Sequence, residues 1–476
     1  MRLWNRPHKL ASLALSLLPL CACATVGPDF VPDQSAAPEH YEMAGDAAAP
    51  GVRFAERAPD TTWWRFLNAP KLDSVIDLAL ADSPTLAEAD AAIDAAQATA
   101  EAVRGGAQPQ VDVTAGPERE RVNAAAFGFA GFPAQTISRY SIGAAVSYDL
   151  DLFGGRRREI ESAEARAESE RYRFEAARLT LAGNIVLQAI ELASLRAQIA
   201  AVESTIADDR KTVALVERAI ALGATARTAK VSAKVQLAQD EAALPALRQR
   251  FAVFRHELAL MVGREPGRWA PPEFDLADFS PSPEIPVAVP SVLLRGRPDI
   301  RAAEAALHTT TAQIGVQTAR LYPNLDITAN FAQIALAPED VFSYAASGWS
   351  VGSQLLAPLL HGGTLRANVR RAEAEADASS ARYRSTVLRV FVEVADALQA
   401  VANDDAEYRA QQSVSQLAQE NLALARRAFE LGGGTILQVL DAQRQNNAAH
   451  RALVAMEGRR LGNLARLRAA TTVAVP

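Results

Sequence analysis

Apolar and polar positions divide the chain into two kinds of segment. Tyr140, Ile142, Ala144, Val146, Tyr148, Leu150 and Leu152 alternate without a break with Ser141, Gly143, Ala145, Ser147, Asp149 and Asp151. A period of two with one apolar face predicts a β-strand. Leu325, Ile327, Ala329 and Phe331 against Asp326, Thr328 and Asn330 repeat the design; Val111, Val113 and Ala115 give a shorter version, and Trp349, Val351 and Leu355 a looser one. A soluble sandwich and a membrane barrel both use this alternation. Tyr140, Tyr148 and Trp349, toward the ends of the apolar band, suit the aromatic belt of a barrel.

The other kind is helical. No proline occurs between Gly155 and Gly223, or between Gly363 and Gly432. Each stretch predicts a helix on the order of 100 Å long, far beyond the usual element of a globular domain. Ile185, Leu192, Leu195, Ile199, Val202, Ile206, Val213, Val216 and Ile220 follow a coiled-coil seam with gaps at Gln188 and Asp209. Val387, Phe391, Val394, Leu398 and Val401 do the same. The charges between Arg157 and Arg171 read as a solvated face. Pro245 is expected to bend the shorter helix that follows the first long one.

These segments occur twice. Pro84 aligns with Pro298, Pro109 with Pro323, Leu152 with Leu360 and Leu222-Gly223 with Leu431-Gly432. Each copy reads helix, strand, loop, strand, very long helix, glycine turn, helix. The organisation expected is a signal peptide at 1–22 and a lipid-anchored segment at 23–70, followed by two repeats. The first repeat covers 71–288, with a strand pair at about 109–152 and a helical hairpin at about 155–262. The second covers 289–476, with its strand pair at about 323–357 and its hairpin at about 362–470. Four strands cannot close a membrane barrel, and each backbone group left unpaired in lipid costs several kcal/mol. Lipid insertion therefore requires oligomers, which would gather the hairpins into a cylinder beneath the barrel. Such a tube is a conduit and needs no catalytic pocket.

Composition adds the compartment. A chain of 476 residues, 49% apolar, can bury a large core. Arg2, Arg6 and Lys9 precede an apolar run from Leu10 to Leu20, a leader pattern too short to span a bilayer. It ends at the only cysteines, Cys21 and Cys23. Both are discarded with the leader, or Leu20-Cys21-Ala22-Cys23 is a bacterial lipobox with Cys23 as the lipidated first residue. Cys21 fits less well, because bulky Leu20 precedes it. Several acyl chains, at about 0.8 kcal/mol per buried methylene, make a stable anchor. Ala24 rather than Asp after the cysteine implies sorting to the outer membrane. Loss of the leader makes the formal charge of −6 more negative by three, and an acidic exported chain is a poor nucleic-acid binder.

Other chemistries find little support. Gly432-Gly433-Gly434-Thr435 lacks the lysine of a phosphate loop and follows a helix rather than a strand. Together with Gly223 it reads as the tips of helical hairpins, where glycine ends helices readily. The six histidines form no metal-ligand spacing. Trp63-Trp64 reads as a carbohydrate site or, preferably, as the anchor of a helix on the outside of the tube.

Four stretches carry a resemblance: Trp63 to Leu80, Val289 to Leu307 with Arg297-Pro298-Asp299-Ile300, Leu431 to Arg444 with Val439-Leu440-Asp441-Ala442-Gln443, and Cys23 to Phe30. Together they resemble the TolC family of outer-membrane efflux channels, in its lipoprotein (NodT-type) branch, over nearly all of the mature chain. The resemblance implies a mainly α fold with a small β part, as a homotrimer with a twelve-stranded barrel in outer-membrane lipid and a long periplasmic α-helical tunnel. It implies a passive duct for drugs or other small molecules, with no enzyme activity and no cofactor beyond covalent lipid on Cys23. The partners would be a periplasmic adaptor and an inner-membrane pump of the resistance-nodulation-division (RND) type. The family's periplasmic gate is lined by two aspartates three residues apart. Asp441 matches the second and Gln438 replaces the first, while the first copy offers Arg227 and Lys230 instead. A periplasmic adaptor would have one hairpin, and a structural coiled-coil lipoprotein would lack the strands.

Overall fold

The computed structural model describes residues 25–32, 37–55, 62–123, 128, 131, 133–282 and 284–473. Cys21 and Cys23, and with them the expected leader and lipidation site, lie outside the described residues. The chain begins with β1 (Val52–Ala55), a 3-10 turn (Trp63–Leu67), α1 (Pro70–Asp82), α2 (Pro84–Gly106), β2 (Gln110–Val122) and β3 (Gln135–Leu150). There follow α3 (Gly155–Ala221), α4 (Arg227–Met261), β4 (Ile285–Ala288), α5 (Pro290–Gly296), α6 (Pro298–Ala319), β5 (Asn324–Ala335), β6 (Ser347–Leu356), α7 (Thr364–Glu430) and α8 (Ile436–Ala470). Proline opens α1, α2, α5 and α6, a position whose N–H has no helical partner in any case. The repeat is carried into the element lengths: α3 and α7 have 67 residues each, α4 and α8 35 each. Pro245 lies inside α4, which continues through it.

The chain forms two compact units. One contains residues 25–32, 93–170 and 303–383, and its centre is an antiparallel sheet of order β2-β3-β5-β6. The strands of the two repeats meet at β3 and β5, with Tyr148 opposite Ile327 and Ala144 opposite Phe331. Register keeps the two faces separate across all four strands. Val113, Ala144, Phe331 and Trp349 form one row, while Asp149, Asp326 and Gln354 form another on the opposite face. The apolar face is bare: Val113 is 72% exposed, Trp349 79% and Val351 69%.

At the foot of this sheet the segment from Thr25 to Phe30 is strapped down. Val26 N–H donates to the Phe153 carbonyl (3.0 Å). Arg158, whose side chain is almost fully buried, donates to the carbonyls of Val26 (3.2 Å) and Gly27 (3.3 Å) and pairs with Asp29 and Glu161. Gly27 has φ +89°, and a Cβ there would stand 2.4 Å from Gly315 Cα. Phe30 stacks on His308 at 4.4 Å.

The second unit contains residues 37–92, 171–302 and 384–473. Trp63 and Trp64 are buried with Leu67, Leu72, Ile76, Ile185, Ile190 and Leu258 in its main core. They are thus core anchors of the α1 region, with no exposed face to offer a sugar. β1 pairs in parallel with β4, a small sheet that the alternation pattern did not reveal because each strand has only four residues.

The seam of α3 is buried at Ile185, Leu192, Leu195, Val202, Ile206 and Val216, and its two polar gaps are buried as well. Gln188 donates to the Phe254 carbonyl and to Glu257, both at 2.9 Å. Asp209 accepts from Gln443 Nε2 (2.9 Å), and Thr212 donates to Gln443 Oε1 (2.7 Å), so α3 is tied to α8. Asp240 of α4 accepts from Arg451 (2.6 Å) and Gln236 (2.7 Å). One oxygen of Asp209 has no partner and is buried. An ionised carboxylate so placed is costly beside a second carboxylate. Burial, with Asp240 next to it, therefore pushes the Asp209 carboxyl up to about 7, against the opposing pull of Gln443 and Arg451.

The sign of the pH dependence follows. The unfolded carboxyl titrates near 4, so between about 4 and about 7 the native chain holds a proton that the unfolded chain has released. Stability from this group is fully present at low pH and falls as pH rises through that window. Asp209→Asn keeps the neutral form at every pH and points an amide donor toward Asp240. Its melting temperature should exceed that of the unsubstituted protein at pH 8, by about 1 °C for each kcal/mol relieved in a chain of this length. The two should melt together near pH 5, and thermal melts at both pH values check this.

Candidate functional site

The hairpin tips are built from one backbone motif used twice. After α3, Gly223 takes φ +73°, its N–H bonds to the Ile220 carbonyl (2.9 Å) and Ala224 N–H bonds to the Ala219 carbonyl (2.8 Å). After α7, Gly432 takes φ +77°, with Gly432 N–H to Phe429 (3.1 Å) and Gly433 N–H to Ala428 (2.9 Å). This is the Schellman closure, in which a left-handed residue satisfies the last carbonyls of a helix. The three successive glycines have separate roles. Gly432 supplies the left-handed turn, whereas a Cβ on Gly434 would stand 3.1 Å from Ala428 Cβ and from Phe429 N. Gly433 has only the Ala428 carbonyl near it, at 3.8 Å.

Beyond the turn the two tips diverge. Ala226 precedes α4 and offers no side-chain cap. Thr435 caps α8: its hydroxyl accepts from Gln438 N–H (3.4 Å), and its own N–H donates to Gln438 Oε1 (2.8 Å). That reciprocal box calls for Glu or Gln at its third helical position, which gives Gln438 a physical reason apart from its charge. Ile436, Val439 and Ala442 pack inward with Val216, Ala229, Ala233 and Leu422. Asp441 lies between the exposed and buried sides of α8, where it pairs with Arg444 and accepts from Gln445 (2.8 Å). Its charge is therefore opposed within one turn. On the first hairpin, Lys230 pairs with Glu217 at 2.9 Å and holds that carboxyl below its ordinary range.

The aromatic residues expected to belt the barrel fall on the apolar face. Tyr140 and Tyr148 sit on β3 opposite Ala335 and Ile327, whereas Trp349 of β6, opposite Phe331, shares the register row of Ala144, midway between the two tyrosines and not at an end of the apolar band as expected. The Arg297-Pro298-Asp299-Ile300 stretch is a junction. Arg297 pairs with Asp299 (3.0 Å) and Glu393 (2.6 Å) and donates to the Ala470 carbonyl (2.9 Å), at the edge of a cavity of about 640 Å³. Among the described residues no group of three or more His, Cys, Asp or Glu side chains is placed to hold a metal ion. Sequence reading missed the Arg158 strap and the Asp209 cluster, although the two seam gaps were the available signal for the second. For the cap, Gln438→Ala should cost roughly 1 kcal/mol of local helix stability and speed amide exchange at Thr435, while Gln438→Glu should retain protection; exchange rates at pH 7 check both.

The profile of the outer membrane efflux protein family matches residues 75–264 and 289–472. Nodulation protein T of Rhizobium leguminosarum bv. trifolii is 27% identical over 434 residues, 89% of each chain. The pyoverdine export outer membrane protein OpmQ of Pseudomonas aeruginosa is 29% identical over 461 residues, 95% of this chain and 94% of that protein. The solved outer-membrane channel OprN superposes with a TM-score of 0.88 at 25% identity, over 95% of this chain and 99% of that one. A profile match over both halves, on a fold with this sheet and these paired hairpins, establishes that the chain belongs to the outer membrane efflux protein family.

Proposed function

We propose that three copies of the chain form the outer-membrane exit duct of a tripartite efflux system, passing small molecules outward without chemical change. The observation that carries this reading is the four-stranded sheet, with one bare apolar face, one polar face and two outer strands that each pair on one side only. In lipid those strands need partners, and β6 of one copy beside β2 of the next closes twelve strands after three copies. On β3 the apolar face runs from Leu150 to Tyr140. At about 3.4 Å per residue and a tilt of 35–45° it rises about 24–28 Å, close to the ~25 Å apolar band of outer-membrane barrels. The paired hairpins would line the periplasmic part of the duct, with a periplasmic adaptor and an inner-membrane pump of the RND type as partners.

Purified protein in a planar bilayer should show discrete conductance steps, and a folded trimer that stays silent would overturn the channel reading. In the same recordings Asp441→Asn should lower cation selectivity, because it leaves the Arg444 charge unopposed, and Arg444→Gln should raise it. Unchanged reversal potentials in both variants would remove this pair from the gate.

Covalent lipid on Cys23 is the proposed anchor. In support, the chain is strapped at Thr25 to Phe30 against the sheet's foot, only two residues beyond Cys23. Cys23→Ser should abolish labelling by radioactive palmitate while the trimer persists; labelling that survives would move the acceptor to Cys21.

A further inference from the structure

The sheet separates charge as well as polarity. The four strands of this sheet hold eight charged residues: Asp112, Glu118, Arg119, Glu120, Arg121, Arg139, Asp149 and Asp326. Register places six of them on the polar face, including Arg139, which pairs there with Glu118 and Glu120. Only Arg119 and Arg121 share the apolar face with Val111, Val113, Ala115 and Pro117. No acid lies on that face. Both arginines are exposed, and among the described residues neither guanidinium has an ion-pair or hydrogen-bond partner. Their cross-strand neighbours are the hydroxyl residues Ser138 and Thr136.

Their height is specific. Gln110, Leu150, Asn324 and Leu356 are the strand ends that adjoin α2, α3, α6 and α7, so Arg119 and Arg121 lie toward the opposite end of β2. They are one and two same-face steps past Pro117, which stands opposite Tyr140. At about 6.8 Å per step and the tilt of a barrel strand, they rise about 5 and 10 Å above the tyrosine row. The interfacial layer beyond the hydrocarbon is about 5–8 Å deep on each side. An arginine fork within that layer, as for Arg119, or just above it, as for Arg121, on the lipid side, meets headgroup oxygens and matches phosphate geometry.

We infer that Arg119 and Arg121, flanked by Ser138 and Thr136, form a contact site for the phosphate groups of an anionic glycolipid in the outer leaflet of the outer membrane. The inference rests on the barrel reading proposed above, since that reading sets which face meets lipid and which end faces outward. The site takes its ligand from the bilayer, because the apolar rows below it accommodate the acyl chains of the same molecule.

The test is lipid retention by the intact trimer in detergent, read by native mass spectrometry after addition of diphosphoryl lipid A. Each arginine near an anionic surface contributes about fivefold. The double variant Arg119→Gln, Arg121→Gln should therefore bind lipid A roughly 25-fold more weakly, with the Arg→Lys pair keeping most of the affinity. Dephosphorylated lipid A should bind the unsubstituted trimer as weakly as diphosphoryl lipid A binds the Gln pair. Equal retention by the Gln pair would overturn the site, and displacement by millimolar inorganic phosphate would overturn its assignment to a lipid headgroup. Bilayer conductance of the double variant separates the two readings. Steps of normal size with unchanged lipid A binding sink this inference alone, whereas silence from both variant and parent sinks the channel.

Discussion

Unpaired backbone groups in hydrocarbon are the constraint on which the rest of this structure depends. Strands β2 and β6 each pair on one side, and the face they carry is too apolar to sit in water: Val111, Val113, Trp349, Val351 and Leu355 are all exposed. Burying that face in lipid is favourable only if the outer edges find partners, because each orphaned N–H or carbonyl there costs several kcal/mol. The ring of copies proposed above would supply those partners. Internal duplication serves the same end, since β3 and β5 join strands from two repeats into one sheet and halve the number of edges that association must close.

The helical part solves a different problem, that of holding long narrow helices in one register. Apolar seams slide easily, and a polar residue within the seam is the usual device that prevents it. Here Gln188 ties α3 to α4, and the Asp209, Thr212 and Gln443 group ties α3 to α8. In the second tie the seam residue is itself a buried carboxyl with one bare oxygen, whereas in the first it is a neutral amide that donates to the Phe254 carbonyl and to Glu257. The two gaps in one seam thus differ in kind. Arg297 does similar work near the other end of α8, joining α6, α7 and the last helical carbonyls through one guanidinium.

Much of this was legible in the sequence, and the reason is periodicity. Strand faces, helix lengths and hairpin tips each repeat a local rule over many residues, so β3, α3 and Gly432 are found where the pattern puts them. Features that depend on contacts between distant residues left no such trace. The β1 and β4 pair brings Val52 to Ile285, and four-residue strands are too short for alternation to stand out. Arg158 looked like one charge among many on a helix, yet it is buried by the N-terminal strap. Trp63 and Trp64 were legible as anchors, because two adjacent indoles at the start of an amphipathic helix have a large apolar area to hide.

Gln438 shows how a departure from a family pattern acquires a physical explanation. Read by charge alone, it is a missing carboxylate. In the structure its amide oxygen receives the Thr435 N–H, at the point where α8 begins after a turn that already uses Gly432 and Gly434. An aspartate there is one methylene shorter and suits the reciprocal box less well. The first tip, which begins at Ala226 with no cap, has no such closure to protect. Helix-end satisfaction and electrostatics thus compete for one position, and at this tip the cap occupies it. Asp441 is left as the acid of that turn, with Arg444 beside it to set how much of its field reaches the solvent.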